Sequence, residues 1–363
     1  MGKSRFRENI RAWGARYMNK KTGVGLVLGV LTLFAVAFWG YTHWPSHNKD
    51  PEELLSFMPR SATGVLYVNL QALRNSPFLA GLYAWAPQPS VDADYAEFMQ
   101  ATGFNYERDL DRAAIAVWDL PREALFLALA EGRFDRMKIT TYAMQSGTRV
   151  VEGRREIFSV PMNGSARRIS FTFLQDDRIA ITNQPELSKM LSENPKDADA
   201  GEWRMRFGRL AGSPIFSVIR QEAKAGSALA GRAPSGLRSP QLSALLDQVQ
   251  WFTVAGKPEV DRLDVVMEGE CATESTAQQL ADLLNGVLVL AQAGLNESKT
   301  RNALDPSARD AYLEMVRGAE VSRIDRGETK SVRLIFQVTP KFLQAARTTA
   351  VKPAPIPPPR TKH

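Results

Sequence analysis

Apolar positions beyond residue 58 keep two rhythms. Short runs of strand period fall at Gly64 to Val68, Ala113 to Trp118, Leu125 to Ala130, Val150-Val151, Glu156 to Val160, Ile169 to Leu174 and Ile179 to Thr182. The turns between several of them are brief, with Asn163-Gly164 and Gln175-Asp176-Asp177-Arg178 as the clearest. Brief turns predict an antiparallel meander. Helical spacing lies between these runs. Asn69 and Ser76-Pro77 start short helices, a third runs from Ser90 to Gly103 with Val91, Tyr95, Phe98, Met99 and Thr102 inward, and Asp135 caps a fourth that reaches about Gln145. Asn183, with Pro185 and Glu186, opens a fifth.

A polar stretch, Pro195 to Glu202, reads as a boundary, and the pattern then repeats loosely. Strands are predicted at Ile215 to Ile219, Trp251 to Ala255, Leu263 to Glu268, Val321 to Ile324 and Val332 to Val338. Ala223 to Pro240 reads as a long Gly, Ser, Ala and Pro-rich loop and Leu242 to Gln248 as a short helix. The strongest helical stripe is Ala277, Leu280, Ala281, Leu284, Val287, Leu288 and Ala291, ending at Gly294. Pro306 opens another helix with Ala308, Ala311, Tyr312 and Met315 inward, and Pro340 a last one. Gly212-Ser213-Pro214 echoes Asn75-Ser76-Pro77, a faint sign of internal duplication. The fold class that follows is α+β, with antiparallel sheets packed against helices in two halves of similar grammar.

A different pattern precedes all this. Gly23 to Gly40 is an uncharged apolar run, and a bilayer core needs roughly 20 such residues in helical form. Gly23, Leu26, Leu28, Leu31, Phe34, Phe38, Trp39, Tyr41 and Trp44 are the residues expected to form this anchor, the last four as an interfacial aromatic belt. Ala35-Val36-Ala37 has the form of a leader-peptidase site, so cleavage after Ala37 is the competing reading. The aromatic continuation and the long basic arm favour an uncleaved anchor.

Charge sets the orientation. Of the chain's 46 basic and 39 acidic side chains, residues 1–22 take seven (Lys3, Arg5, Arg7, Arg11, Arg16, Lys20 and Lys21) and one (Glu8). The last fourteen residues take three and none, which leaves 36 basic against 38 acidic in between. The basic arm stays cytoplasmic and the bulk of the chain lies beyond the inner membrane, in the periplasm or outside the cell. Since the excess charge sits on the two ends, nucleic acid is not an expected partner. Within the arm, Phe6, Ile10, Trp13 and Tyr17 have the spacing of a helix lying on an anionic leaflet, against which a disordered basic tail is the plainer reading.

The chain has one cysteine, Cys271, so no intrachain disulfide forms, and its expected role is a small buried residue. His43, His47 and His363 lie outside the folded body, which removes histidine-dependent triads and histidine metal ligands there. No phosphate-binding glycine loop is present and no cofactor is expected. The chemistry left is carboxylate chemistry, with Asp109, Asp111, Asp176, Asp177, Glu131 and Glu268 as candidates near Glu107, although Arg108 and Arg112 suggest an ion-paired, solvated surface. Trp85, Trp118, Trp203 and Trp251 are mostly core, with Trp85 the one most suited to a groove.

Met58-Pro59, Thr63 to Leu70, Asp109-Leu110-Asp111-Arg112, Glu131 to Asp135 and Phe173 to Ala180 together resemble a broad group of uncharacterised bacterial proteins, common in acidobacteria. That resemblance spans about Pro51 to Leu191 and implies an N-terminal membrane anchor with an extracytoplasmic domain, and no activity. The organisation expected is a basic arm (1–22), a transmembrane helix (23–41), a stalk (42–57), two α+β halves (58–194 and 203–346) and a Pro-rich tail (347–363). The function expected is a single-pass envelope binding or scaffold protein with the bilayer and an envelope protein as partners, and the alternative is a carboxylate-dependent hydrolase of an envelope polymer.

Overall fold

The computed structural model describes residues 51–59, 61–83, 93–118, 125–161, 168–184, 186–192, 200–221, 244–298, 304–327 and 329–351. The anchor and topology residues from Lys3 to Trp44, the three histidines, Trp85, Val91, the Asn163-Gly164 turn, the Ala223 to Pro240 loop and the Pro353 to Pro359 tail lie outside them.

Within the described residues the chain is α+β, built on one sheet of twelve strands. In chain order these are β1 (Gly64–Asn69), β2 (Leu110–Trp118), β3 (Leu125–Gly132), β4 (Thr148–Glu152), β5 (Arg155–Pro161), β6 (Arg168–Gln175), β7 (Arg178–Thr182), β8 (Ile215–Arg220), β9 (Val249–Pro258), β10 (Leu263–Cys271), β11 (Glu320–Asp325) and β12 (Lys330–Val338). Their order across the sheet is β11-β12-β10-β9-β8-β1-β2-β3-β7-β6-β5-β4, and every pairing is antiparallel. The two halves therefore share a sheet rather than forming two.

They meet at β1 and β8, where Val65 lies opposite Val218 and Tyr67 opposite Phe216. Outward from this seam each half repeats one plan. β1-β2-β3 is a meander whose third strand is flanked by β7, the last strand of its half. β8-β9-β10 is likewise a meander, flanked by β12. The Ser-Pro echo is not part of this correspondence, because Pro214 precedes β8 whereas Pro77 follows β1 and starts a helix.

Alternation along the strands sends successive side chains to opposite faces of the sheet. One face carries Val65, Tyr67, Ala114, Ala116, Leu127, Leu129, Phe216 and Val218, covered by α1 (Pro51–Leu55), α7 (Leu187–Ser192) and α8 (Ala200–Leu210). Trp203 and Phe207 of α8 pack into it, with Trp203 and Trp251 meeting edge to face at 4.9 Å. Pro51–Leu55 falls in the stretch read as stalk, yet Leu54 and Leu55 are buried there. Trp118 lies beside the same core and donates its indole N–H to Ser61 Oγ at 3.1 Å.

The opposite face holds the other helices: α2 (Leu70–Arg74), α3 (Pro77–Tyr83), α4 (Ala93–Thr102), α5 (Tyr106–Asp109), α6 (Arg136–Ser146), α9 (Glu274–Asn296), α10 (Pro306–Arg317) and α11 (Pro340–Val351). Two of the caps read from the sequence are made, Asn69 Oδ1 accepting from the Ala72 amide and Asp135 Oδ1 from the Lys138 amide. The Ser76 hydroxyl has no hydrogen-bond partner among the described residues, and Asn183 Oδ1 accepts from the Phe126 amide while α7 starts only at Leu187. In α9 only the N-terminal half is buried, through Thr276, Ala277, Leu280 and Ala281, over Val249, Cys271 and Val332. In α10 the residues turned inward are Ala308, Ala311, Leu313 and Val316, with Met315 half-exposed.

Candidate functional site

The candidate carboxylates separate into three settings. Glu131 ends β3 on the α1 face and is 3% exposed. Arg178, its direct cross-strand neighbour on β7, donates from Nε to Glu131 Oε1 at 2.9 Å, and Arg112 on β2 donates to Oε2. Arg178 also meets Glu53 of α1 at 3.0 Å, and its guanidinium lies 5.6 Å from the centre of the Phe57 ring. Glu131 is thus shared between two guanidiniums, and α1 is tied to the same pair.

The second half builds the counterpart. Glu268 on β10 has Arg333 of β12 as its cross-strand neighbour at 3.1 Å and also accepts from Arg326 at 2.9 Å and Arg209 at 3.3 Å. Glu270, 2% exposed, accepts from Arg206 Nε at 3.1 Å and from Arg209. Arg206 in turn stacks on Trp251, 3.8 Å from the ring centre. Burial alone would raise the Glu268 carboxyl, but the Arg326 and Arg333 guanidiniums and the Ser331 hydroxyl outweigh it and hold the group below its usual range.

Glu131 cannot share a substrate with Glu268 or Glu270. From β3 to β10 there are five strand spacings, about 24 Å, whereas a pair of glycosidase carboxylates stands about 5–10 Å apart. Each is saturated by arginines at its own end of the sheet.

The third setting is the corner of α5 and β2. Asp109 is buried rather than solvated: its carboxylate accepts from the Asn105 amide at 2.9 Å and from Arg108 at 2.7 and 2.9 Å, with Arg133 at 3.6 Å. Burial pushes its carboxyl up, and those hydrogen bonds and the Arg108 and Arg133 charges win, leaving it below the usual range. Arg112, read with this cluster, points instead to Glu131. Arg74 closes the corner by donating to the carbonyls of Glu107 and Leu110, both at 2.9 Å, and to Asp111 Oδ1 at 2.5 Å. Glu107 differs from its neighbours, since burial pushes its carboxyl up to about 7 and only the Tyr106 side chain works against this. Asp176 and Asp177 sit at the β6–β7 turn, Asp176 almost fully exposed and 3.4 Å from Arg136, Asp177 with its carbonyl accepting from the Gly132 amide at 3.0 Å.

Cys271 is buried under α9, which pushes its thiol up to about 11. Among the described residues no cluster of His, Cys, Asp and Glu could hold a metal ion, and no helix is long and apolar enough to cross a membrane.

What sequence reasoning missed was Arg178, Arg206, Arg209, Arg326 and Arg333, which turn the candidate acids into structural ones. The visible trace is the repeated Glu-Gly pair, Glu131-Gly132 and Glu268-Gly269, on the third strand of each meander.

No family model and no curated protein matches the chain. Three crystal forms of TP0453 are similar to it in outline. Form I has a TM-score of 0.41 at 10% identity over 85% of this chain and 100% of that one. Form IV gives 0.41 at 12% over 81% and 96%, and form III gives 0.42 at 12% over 84% and 100%.

Proposed function

We propose that the chain is a single-pass, membrane-tethered binding or scaffold protein of the cell envelope, with its body beyond the inner membrane and an envelope protein as partner. The observation that carries this reading is the way the chain enters the fold. Ten residues, Tyr41 to Asp50, separate the apolar run from α1. α1 is then bolted down by Leu54 and Leu55 in the core and by Glu53 on Arg178. A tether docked in this way keeps a large body within the reach of ten residues of a bilayer, as a scaffold requires.

The test is topological. An alkaline phosphatase fused after His363 is expected to be active in intact cells, and proteinase added to spheroplasts is expected to digest residues beyond 50. A fusion present at full length yet inactive, with residues beyond 50 resistant to the proteinase, overturns the reading. Crosslinking in intact membranes is expected to return one recurrent protein partner.

The alternative, a carboxylate-dependent hydrolase of an envelope polymer, has one observation in its favour: Glu107 is held near neutrality while Asp109, two residues on, is kept ionised, the division of labour an acid and its partner need. Asp109 is, however, buried and saturated by arginine. Turnover of a dye-labelled envelope polymer that disappears in Glu107→Gln with folding intact would establish this reading in place of the first.

A further inference from the structure

On the α1 face, an open depression of about 390 Å³ is lined by Glu152, Arg154, Arg155, Ser188 and Lys189. The β4–β5 hairpin presents two of these residues rigidly. Glu152 and Arg155 are paired across it, and Gly153 takes a positive φ of 62° in the two-residue turn. Most charged side chains near the core are committed to a partner, but among the described residues Arg154 and Arg155 have none. Lys189 pairs with Glu186 at 2.6 Å. The Ser188 hydroxyl oxygen is buried and has no hydrogen-bond partner among the described residues. Two uncommitted guanidiniums, an ammonium and a spare hydroxyl, against the Glu152 carboxylate, form a donor-rich surface. Planar guanidinium forks match a tetrahedral oxyanion, and a hydroxyl adds a further donor.

The location of the depression narrows the ligand. β5 begins at Arg155 and β7 at Arg178, and both strands run antiparallel to β6, so the two arginines start at the same end of the sheet. One strand lies between them, placing β5 and β7 about 10 Å apart. Arg178 is the residue that holds Glu53 of α1. The depression therefore opens on the face and at the sheet end where the chain arrives from its apolar run.

We propose that Arg154, Arg155, Lys189 and Ser188 form a site for a phosphate group, supplied by the headgroup of an anionic lipid beside the tether or by free phosphate. The lipid source rests on the membrane-tethered reading; the phosphate chemistry does not.

Full-length protein in vesicles separates the possibilities. With phosphatidylcholine alone, titrated inorganic phosphate is expected to broaden its phosphorus NMR line if the site takes soluble phosphate. Adding phosphatidylglycerol instead is expected to slow amide hydrogen exchange severalfold at 152–155 and 187–190 if the headgroup is the source. Either signal should weaken with added salt and vanish in Arg154→Ala/Arg155→Ala, while Ser188→Ala should reduce it. Unchanged circular dichroism in the variants shows that loss of the signal is not loss of fold. No response in either arm, or a response that survives the double substitution, overturns the site. Protein that fails to float with the vesicles but still broadens the phosphate line removes the tether and leaves the site.

Discussion

Ionising Glu107 works against its surroundings. Its carboxyl titrates near 7 in the fold, against about 4.3 in an open chain, so between those values the folded state holds a proton that the unfolded state has released. Stability from this group is present in acid and is lost as pH rises through that window. Glu107→Gln should therefore unfold at the same temperature as the parent near pH 4 and at a higher one near pH 8, read by calorimetry. Asp109 and Glu268 act in the opposite direction, because their folded values are depressed. What they contribute is present above the open-chain carboxyl range and is lost as pH falls through the folded values, which makes both ends of the sheet acid-labile. The buried Glu270 gives a sharper test. Deleting one member of a buried ion pair costs about 3–5 kcal/mol, because the other charge stays desolvated. Glu270→Ala should lose that much in urea denaturation, and Arg206→Met/Glu270→Leu clearly less.

At the scale of elements, α8 is the piece on which the most interactions converge. It carries Trp203 and Phe207 into the shared core and Arg206 and Arg209 onto β10. Its sequence hid it. Ala200 to Leu210 follows a polar stretch and contains four charged residues among its eleven, so the Trp203, Phe207, Leu210 stripe at i, i+4, i+7 was submerged. The strands were legible because alternation is a local property and each buries one or both faces. The caps at Asn69 and Asp135 were legible for the same reason. The carboxylate–arginine clusters were not, since Glu131 finds Arg178 47 residues away and Arg206 finds Glu270 64 residues away. Spacing along the chain holds no record of such distances, and candidate acids looked available when they were already spent. A tight approach at the β2–β3 register shift provides a further check on this corner. A Cβ at Gly132 would stand 2.2 Å from the Asp109 carbonyl oxygen. Because backbone rather than a flexible side chain blocks it, Gly132→Ala should cost at least about 1–3 kcal/mol and shift the Asp109 corner, seen as lower urea midpoints and faster amide exchange at residues 105–112.

For the whole molecule, the seam between β1 and β8 decides how it unfolds. Two separate sheets would melt separately. A single sheet in which β1 of one half pairs with β8 of the other exposes an unpaired strand edge if either half is removed. Residues 51–192 alone should aggregate or show no cooperative transition, whereas the intact body should give one calorimetric peak with equal calorimetric and van't Hoff enthalpies. The outer edges fare differently: β11 carries Glu320, Arg323 and Asp325, while β4 exposes Val150 and Val151 between Arg149 and Glu152. Self-association, where it occurs, should be relieved by Val151→Lys and read by light scattering.

The lone thiol under α9 has a practical consequence. Cys271 lies on the last strand before α9, sealed by that helix, and no other sulfhydryl in the chain competes with it. Its alkylation by a water-soluble reagent is therefore a clock for the lifting of α9 from the sheet, obtained without engineering the protein.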